Sequence, residues 1–261
     1  MKKLLVRIFN RRYLTILLPI FFLLSAWLFF VLNTPVNLII VLLTIIVFFV
    51  TIYSIVGKHI IRYWPLCLLF ILGIGSFFLF SLFLFSWLAK LTLLLVFFLL
   101  IMVGLGNLEH LLWRPRFYQI GSLEQSINLL IFITLFCLTS SFYALNIFLN
   151  FPWLFFIIGL AGYLLLANFT VNQVNQISKN KKKSLYYIII IDLIILEFFI
   201  VGRYLPIVYY TIGLLLSFSW YLLTTISQDY LIEQFNFKLV KRRTIVILVI
   251  MLLILLTARW K

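Results

Sequence analysis

The chain alternates long uncharged apolar runs with short polar breaks. Residues 38–56 and 91–103 carry no charged side chain and are apolar on every face, whereas a strand of a membrane barrel alternates apolar and polar positions over about ten residues. The spans are therefore expected to be helices. Breaks at Pro, Asn and charge runs cut the chain at about 13–32, 36–56, 65–88, 91–108, 127–148, 152–171, 185–201, 206–227 and 244–258. Each reaches or approaches the roughly 20 residues that cross a bilayer. The expected fold is an all-α polytopic bundle of nine transmembrane helices, with eight as the runner-up count, because the last segment has about 15 residues against the usual 17 to 25.

Two features of the pattern refine these cuts. Pro35, Pro65, Pro152 and Pro206 each open a segment, where the first-turn N–H groups lack helical acceptors anyway, and the segment interiors are read as free of proline. The run from Pro65 to Leu108 is too long for one span, and a tight hairpin around Trp87 to Lys90 is expected to divide it, with Gly73 and Gly75 as the competing kink.

Composition then closes off the soluble classes. Of 261 residues, 66% are hydrophobic and 10% charged, against about 45 to 50% and about 25% in a soluble domain. Nine spans occupy roughly 180 residues, so residues 1–261 read as a single integral membrane domain with no soluble domain. The basic start before Tyr13 lacks a small-residue cleavage pattern downstream and reads as the flank of an uncleaved first span.

Charge supplies an orientation. Lys2, Lys3, Arg7, Arg11, Arg12, Lys58, Arg62, Arg114, Arg116, Lys179, Lys181, Lys182, Lys183, Lys238, Lys241, Arg242 and Arg243 fall in alternate connections, leaving Lys90, Arg203, Arg259 and Lys261 on the other side. Cytoplasmic loops hold the Lys and Arg excess, so a cytoplasmic N-terminus, an outer C-terminus and residence in the cytoplasmic (inner) membrane are expected. The formal charge of +15 reads as a topology device with attraction to anionic lipids at the basic inner loops, about 1 kcal/mol per basic residue near the surface. A nucleic-acid footprint would need a basic face on a folded domain, so no nucleic-acid partner is expected; the bilayer and other membrane proteins are.

Candidate chemistry is sparse. Asp192 and Glu197 lie within the seventh span, about 10 and 18 Å from its start at Leu185, where ionisable groups are costly and either mark function by default or accept hydrogen bonds from a neighbouring Tyr, Ser, Thr or Asn and lock helix packing. Five residues turn a helix by about 500°, so the two carboxyls stand about 140° apart and do not form a catalytic pair. Arg203, the nearest cation, meets Glu197 only if the helix ends at Gly202. A second group, His59, Glu109, His110, Arg114, Arg116, Glu124, Asn168 and Asn172, gathers on the expected cytoplasmic face. Adjacent Glu109 and His110 point in different directions, unlike the two imidazoles of H-E-x-x-H, so no metal or other cofactor is expected and these residues are read as interfacial polar groups. Asn168, Asn172, Asn175 and Gln176 form a stripe read as facing water where the sixth helix leaves the membrane, with the lining of a cytoplasmic vestibule as the alternative. Cys67 and Cys137 sit in apolar segments and behave as small hydrophobes.

Phosphate loops, nucleophile elbows and aspartate-rich repeats are absent from the sequence. A non-catalytic membrane subunit or scaffold, assembling through its long inner loops, stands first. A small transporter or channel-like protein with a pathway past Asp192 and Glu197 stands second, because transporters usually break helices at corresponding positions of two halves. An enzyme on a lipid-soluble substrate at the cytoplasmic face, using Glu109 and His110 with Arg114 and Arg116 on an anionic head group, stands third.

Overall fold

The computed structural model describes residues 2–32, 34–114, 118–119, 121–175, 181–231 and 237–258. Among them are nine α-helices: α1 (Lys2–Val31), α2 (Thr34–Val56), α3 (Ile60–Ser81), α4 (Trp87–Trp113), α5 (Ser122–Leu149), α6 (Trp153–Asn175), α7 (Lys181–Gly202), α8 (Tyr209–Leu231) and α9 (Phe237–Thr257). The fold is all-α. Eight of these helices are long and apolar enough to cross a membrane, running Tyr13–Val31, Val36–Val56, Tyr63–Ser81, Trp87–Trp113, Ser122–Leu149, Trp153–Val174, Leu185–Gly202 and Tyr209–Tyr230. The chain is a polytopic helical membrane protein. α9 falls short of that standard because Lys238, Lys241, Arg242 and Arg243 occupy its first two turns, which leaves a short apolar remainder.

Several edges differ from the sequence reading. The break inside 65–108 lies at Leu82–Ser86, not at Trp87–Lys90, and α3 runs unbroken through Gly73 and Gly75. Ser86 decides the position: its backbone is extended and its hydroxyl caps α4 by accepting from the Ala89 N–H at 3.5 Å. Pro65 does stand at the start of a straight segment, just after a kink at Tyr63. Pro19, however, lies within α1, which corrects the expectation that segment interiors lack proline; its ring is buried and the helix continues through it. α5 starts five residues earlier than expected and ends on Asn150, whose left-handed backbone (φ 51°) and N–H bond to the Asn146 carbonyl terminate the helix.

The chain divides into two compact units, Met1–Leu130 and Ile131–Lys261. In the first, α1 packs on α2 and α4, and α2 on α3. Its centre is aromatic: Phe22 of α1 meets Phe77 of α3 at 5.0 Å, Phe48 of α2 at 6.1 Å and Phe97 of α4 at 6.5 Å between ring centroids. All four rings are fully buried, and their offset and edge-on contacts add to the area they bury. Trp27 and Trp87 lie 5.7 Å apart, so the last turns of α1 meet the start of α4.

In the second unit α6, α7, α8 and α9 pack in chain order. The α5 portion joins through Tyr143, whose hydroxyl donates to the Phe199 carbonyl of α7, and through Ile131, whose carbonyl accepts from Tyr163 of α6 at 3.0 Å. α5 and α8 approach closely at Gly213, where a Cβ would fall on the hydroxyl and backbone of Ser140. Small residues at such crossings let helix backbones come together where lipid offers no hydrophobic drive.

Candidate functional site

In the first unit α4 carries Glu109 inward, and the carboxylate is 4% exposed. Its Oε2 accepts from the Thr15 hydroxyl of α1 at 3.1 Å, and its Oε1 faces Arg114 Nε at 3.9 Å. Both oxygens are therefore engaged within the unit. His110 turns elsewhere, half-buried, with its Nδ1 enclosed and unbonded. His59 is exposed and stands edge-on to Trp113 at 5.9 Å, whose indole N–H donates to the Ile55 carbonyl at 2.9 Å. Glu124, half-buried, sits in the first turn of α5, where the helix dipole favours a carboxylate. Burial pushes the phenol of nearby Tyr118 above its usual range, and the Glu124 carboxylate adds to that shift. Arg116 lies outside the described residues. Among the described residues no three His, Cys, Asp or Glu side chains converge.

In the second unit the sequence-derived groups recombine. Asn168 of α6 and Asp192 of α7, assigned to different clusters from the sequence, are 4% and 5% exposed and share a hydrogen bond of 2.5 Å from the amide to Oδ1. Asp192 Oδ2 is enclosed without a partner. Asn168 thus faces α7 and not water, contrary to the stripe reading; Asn172 is half-buried, and the Asn175 side chain and Gln176 lie outside what the structure describes. Asn168, Asn172, Tyr187, Thr224, Ser227 and Gln228 border a space of about 10 Å³, room for at most one water.

Glu197 takes the other face of α7. It is exposed, as are Leu193 and Val201 one turn to either side, in agreement with the 140° separation from Asp192. α7 does end at Gly202, yet Arg203 does not turn back to Glu197. It lies just beyond the span, exposed, with its guanidinium over the Trp153 ring at 5.2 Å, a cation–π contact. Among the described residues the ion pairs are Glu109 with Arg114 and Asp229 with Arg243, so Glu197 has no cationic partner there.

Thr15 and Asn107 escaped the sequence reading. Asn107 donates to the Ser122 carbonyl at 3.1 Å and to Ser126 at 3.3 Å, tying α4 to α5. Each partner lies on another helix, and periodicity within one helix carries no signal for that. Gln228–Leu231 continue α8 and Phe237–Arg243 open α9, and residues 232–236 lie outside the described residues. Lys179, Arg259 and Lys261 lie outside them as well. Comparison with known protein families, curated proteins and solved structures finds no match to this chain.

Proposed function

We propose that this protein is a non-catalytic subunit or scaffold of the cytoplasmic membrane, oriented with its N-terminus inside, that assembles with other membrane proteins. The observation that carries this reading is Glu197. A carboxyl inside a span costs about 2.5 to 3.5 kcal/mol on insertion scales and is almost always turned to a bundle interior or a cavity, yet Glu197 is exposed. Side chains of a helix lean toward its N-terminus, so from its place about 7.5 Å short of Gly202 the carboxyl starts out directed deeper into the span. A neighbouring transmembrane helix carrying a hydrogen-bond donor or a cation removes that cost. The two buried carboxyls support the same reading from the opposite side, because Glu109 and the Oδ1 of Asp192 are already used within their units.

The experiment is gentle extraction from native membranes followed by mass determination. Wild type is expected in a defined assembly well above its own 30.9 kDa, and Glu197→Leu is expected as the free protomer with unchanged helicity and melting. An assembly indifferent to Glu197→Leu overturns the proposal.

One observation favours a second reading, the enclosed and unpartnered Asp192 Oδ2, which a transporter with a pathway past Asp192 and Glu197 would use. Its mark is pH-dependent flux through the pure protein in liposomes that Glu197→Gln or Asp192→Asn abolishes at unchanged stability. The enzyme reading loses ground, since the Glu109 that it would use is held by Thr15 and Arg114.

A further inference from the structure

One groove within the second unit has a charged rim and an oily floor. It lies between α8 and α9, has a volume of about 370 Å³, and is bordered by Arg242, Arg243 and Thr244 at one end and by Leu222, Ile226 and Ile247 along its length. The arrangement follows from the sequence of α9, in which four basic residues within the first two turns are followed by an uncharged run. Ile247 stands four residues beyond Arg243, about 6 Å further along the axis. The polar end of the groove therefore coincides with the basic end of α9 and the C-terminal end of the α8 span at Tyr230.

The charges at the rim are unequal in their commitments. Arg243 Nη1 is paired with Asp229 Oδ2 of α8 at 3.2 Å, which fixes the guanidinium on the groove while leaving other N–H donors of its fork free. Arg242 is exposed and has no acidic partner among the described residues. Two guanidiniums against one carboxylate leave the groove with one net positive charge. Guanidiniums match phosphate oxygens in geometry as well as sign, and basic pockets between transmembrane helices are where anionic head groups settle.

We propose that this groove binds one anionic glycerophospholipid from the leaflet at the basic ends of α8 and α9. Its phosphate sits on Arg242 and Arg243, and the upper part of one acyl chain lies along Leu222, Ile226 and Ile247. A volume near the lower end of the 300 to 1,000 Å³ typical of ligand sites suits a head group and part of a chain. A zwitterionic lipid brings its own ammonium to a rim that is already positive and gains less. A soluble phosphate contacts only the arginines and leaves the apolar floor unfilled. The site is independent of the assembly role assigned to Glu197, which lies on α7.

The test is native mass spectrometry of the full chain in detergent, titrated separately with dioleoyl phosphatidylglycerol, dioleoyl phosphatidylcholine and inorganic phosphate. Wild type is expected to retain one phosphatidylglycerol at a concentration about fivefold or more below that needed for phosphatidylcholine, and phosphate is expected not to displace it. At about 1 kcal/mol per basic residue near a membrane surface, each of Arg242→Gln and Arg243→Gln should weaken phosphatidylglycerol retention about fivefold. Lys241→Gln, on the same turn but outside the groove, should change it less than twofold. Asp229→Asn, which removes the competing carboxylate, should strengthen it, a gain of binding that no loss of fold can imitate. Ile226→Trp should weaken it with every charge in place. Equal retention of the two lipids, displacement by phosphate, a loss with Lys241→Gln matching that of the arginines, or weaker binding by Asp229→Asn would each overturn the site.

Discussion

At the scale of single residues, Asn168 and Asp192 tie α6 to α7 inside the second unit, whereas Glu197 on the same helix as Asp192 is exposed. Truncating Asn168 leaves both Asp192 oxygens enclosed without a donor, a loss worth about 1 to 3 kcal/mol in water-soluble proteins and averaging about 0.6 between membrane helices, where the unfolded reference also finds partners. Asn168→Ala is therefore expected to cost about 1 kcal/mol in unfolding by SDS titration of mixed micelles. Asp192→Asn retains a carbonyl that accepts from Asn168, and is expected to stay within about 0.5 kcal/mol of wild type. Equal losses in the two variants would show that the Asn168 amide contributes nothing specific. The opposed faces of Asp192 and Glu197 were legible in the sequence, since 100° per residue separates them whatever surrounds the helix. The partner of Asp192 was not, because Asn168 lies on a different helix and an asparagine near a charge run reads equally well as a solvated one.

Elements were legible where chemistry interrupts the apolar run and illegible where it does not. Pro152, the basic run near Lys181 and the asparagines near Asn150 mark helix ends within a few residues. Leu82, Phe83, Leu84 and Phe85 offer no such mark, so the sequence alone draws the α3 to α4 turn toward the nearest charge, Lys90, whereas the deciding residue is Ser86, which caps the start of α4. Glycines show the same limit. Gly159, Gly162 and Gly213 are alike in sequence, yet a Cβ at Gly213 collides with Ser140, one at Gly159 only touches Phe142 at 3.4 Å, and one at Gly162 meets nothing within 4 Å. Gly213→Ala is therefore expected to cost about 1 to 3 kcal/mol by forcing α5 and α8 apart. Gly162→Ala is expected to be neutral or slightly stabilising, because it removes backbone freedom from a helix interior at no steric expense. Thermal unfolding of the two variants in one detergent distinguishes them, and similar melting points would mean that α5 and α8 do not rely on close approach at Gly213.

For the whole molecule, the number of crossings turns on α9, and charge alone does not settle it. With α9 spanning, Arg259 and Lys261 join Lys90 and Arg203 on the outer side; with α9 not spanning, they join the inner excess, and both distributions satisfy the preference of Lys and Arg for the cytoplasm. Length is no more decisive. The 14 residues from Thr244 to Thr257 rise about 21 Å against a hydrocarbon core of about 30 Å, although Arg242 and Arg243 can bury their stems and extend the reach. The surface of the helix does discriminate. A helix lying in the interface needs one polar face, whereas Ile245, Val246, Leu248, Val249, Leu252, Leu253 and Leu256 are all exposed and surround the part of α9 that Ile247 turns inward. Such a helix gains by entering the membrane end-on beside α8. Cysteines placed singly at Lys241 and Ala258 are therefore expected to react with an impermeant thiol reagent from opposite sides of the membrane, Lys241 from the cytoplasm. The native Cys67 and Cys137 are both buried and should stay silent as background. Labelling of both positions from the cytoplasm would reduce the crossings to eight, return the C-terminal end to the inner face, and leave α9 folded back against the leaflet with its apolar circumference in lipid.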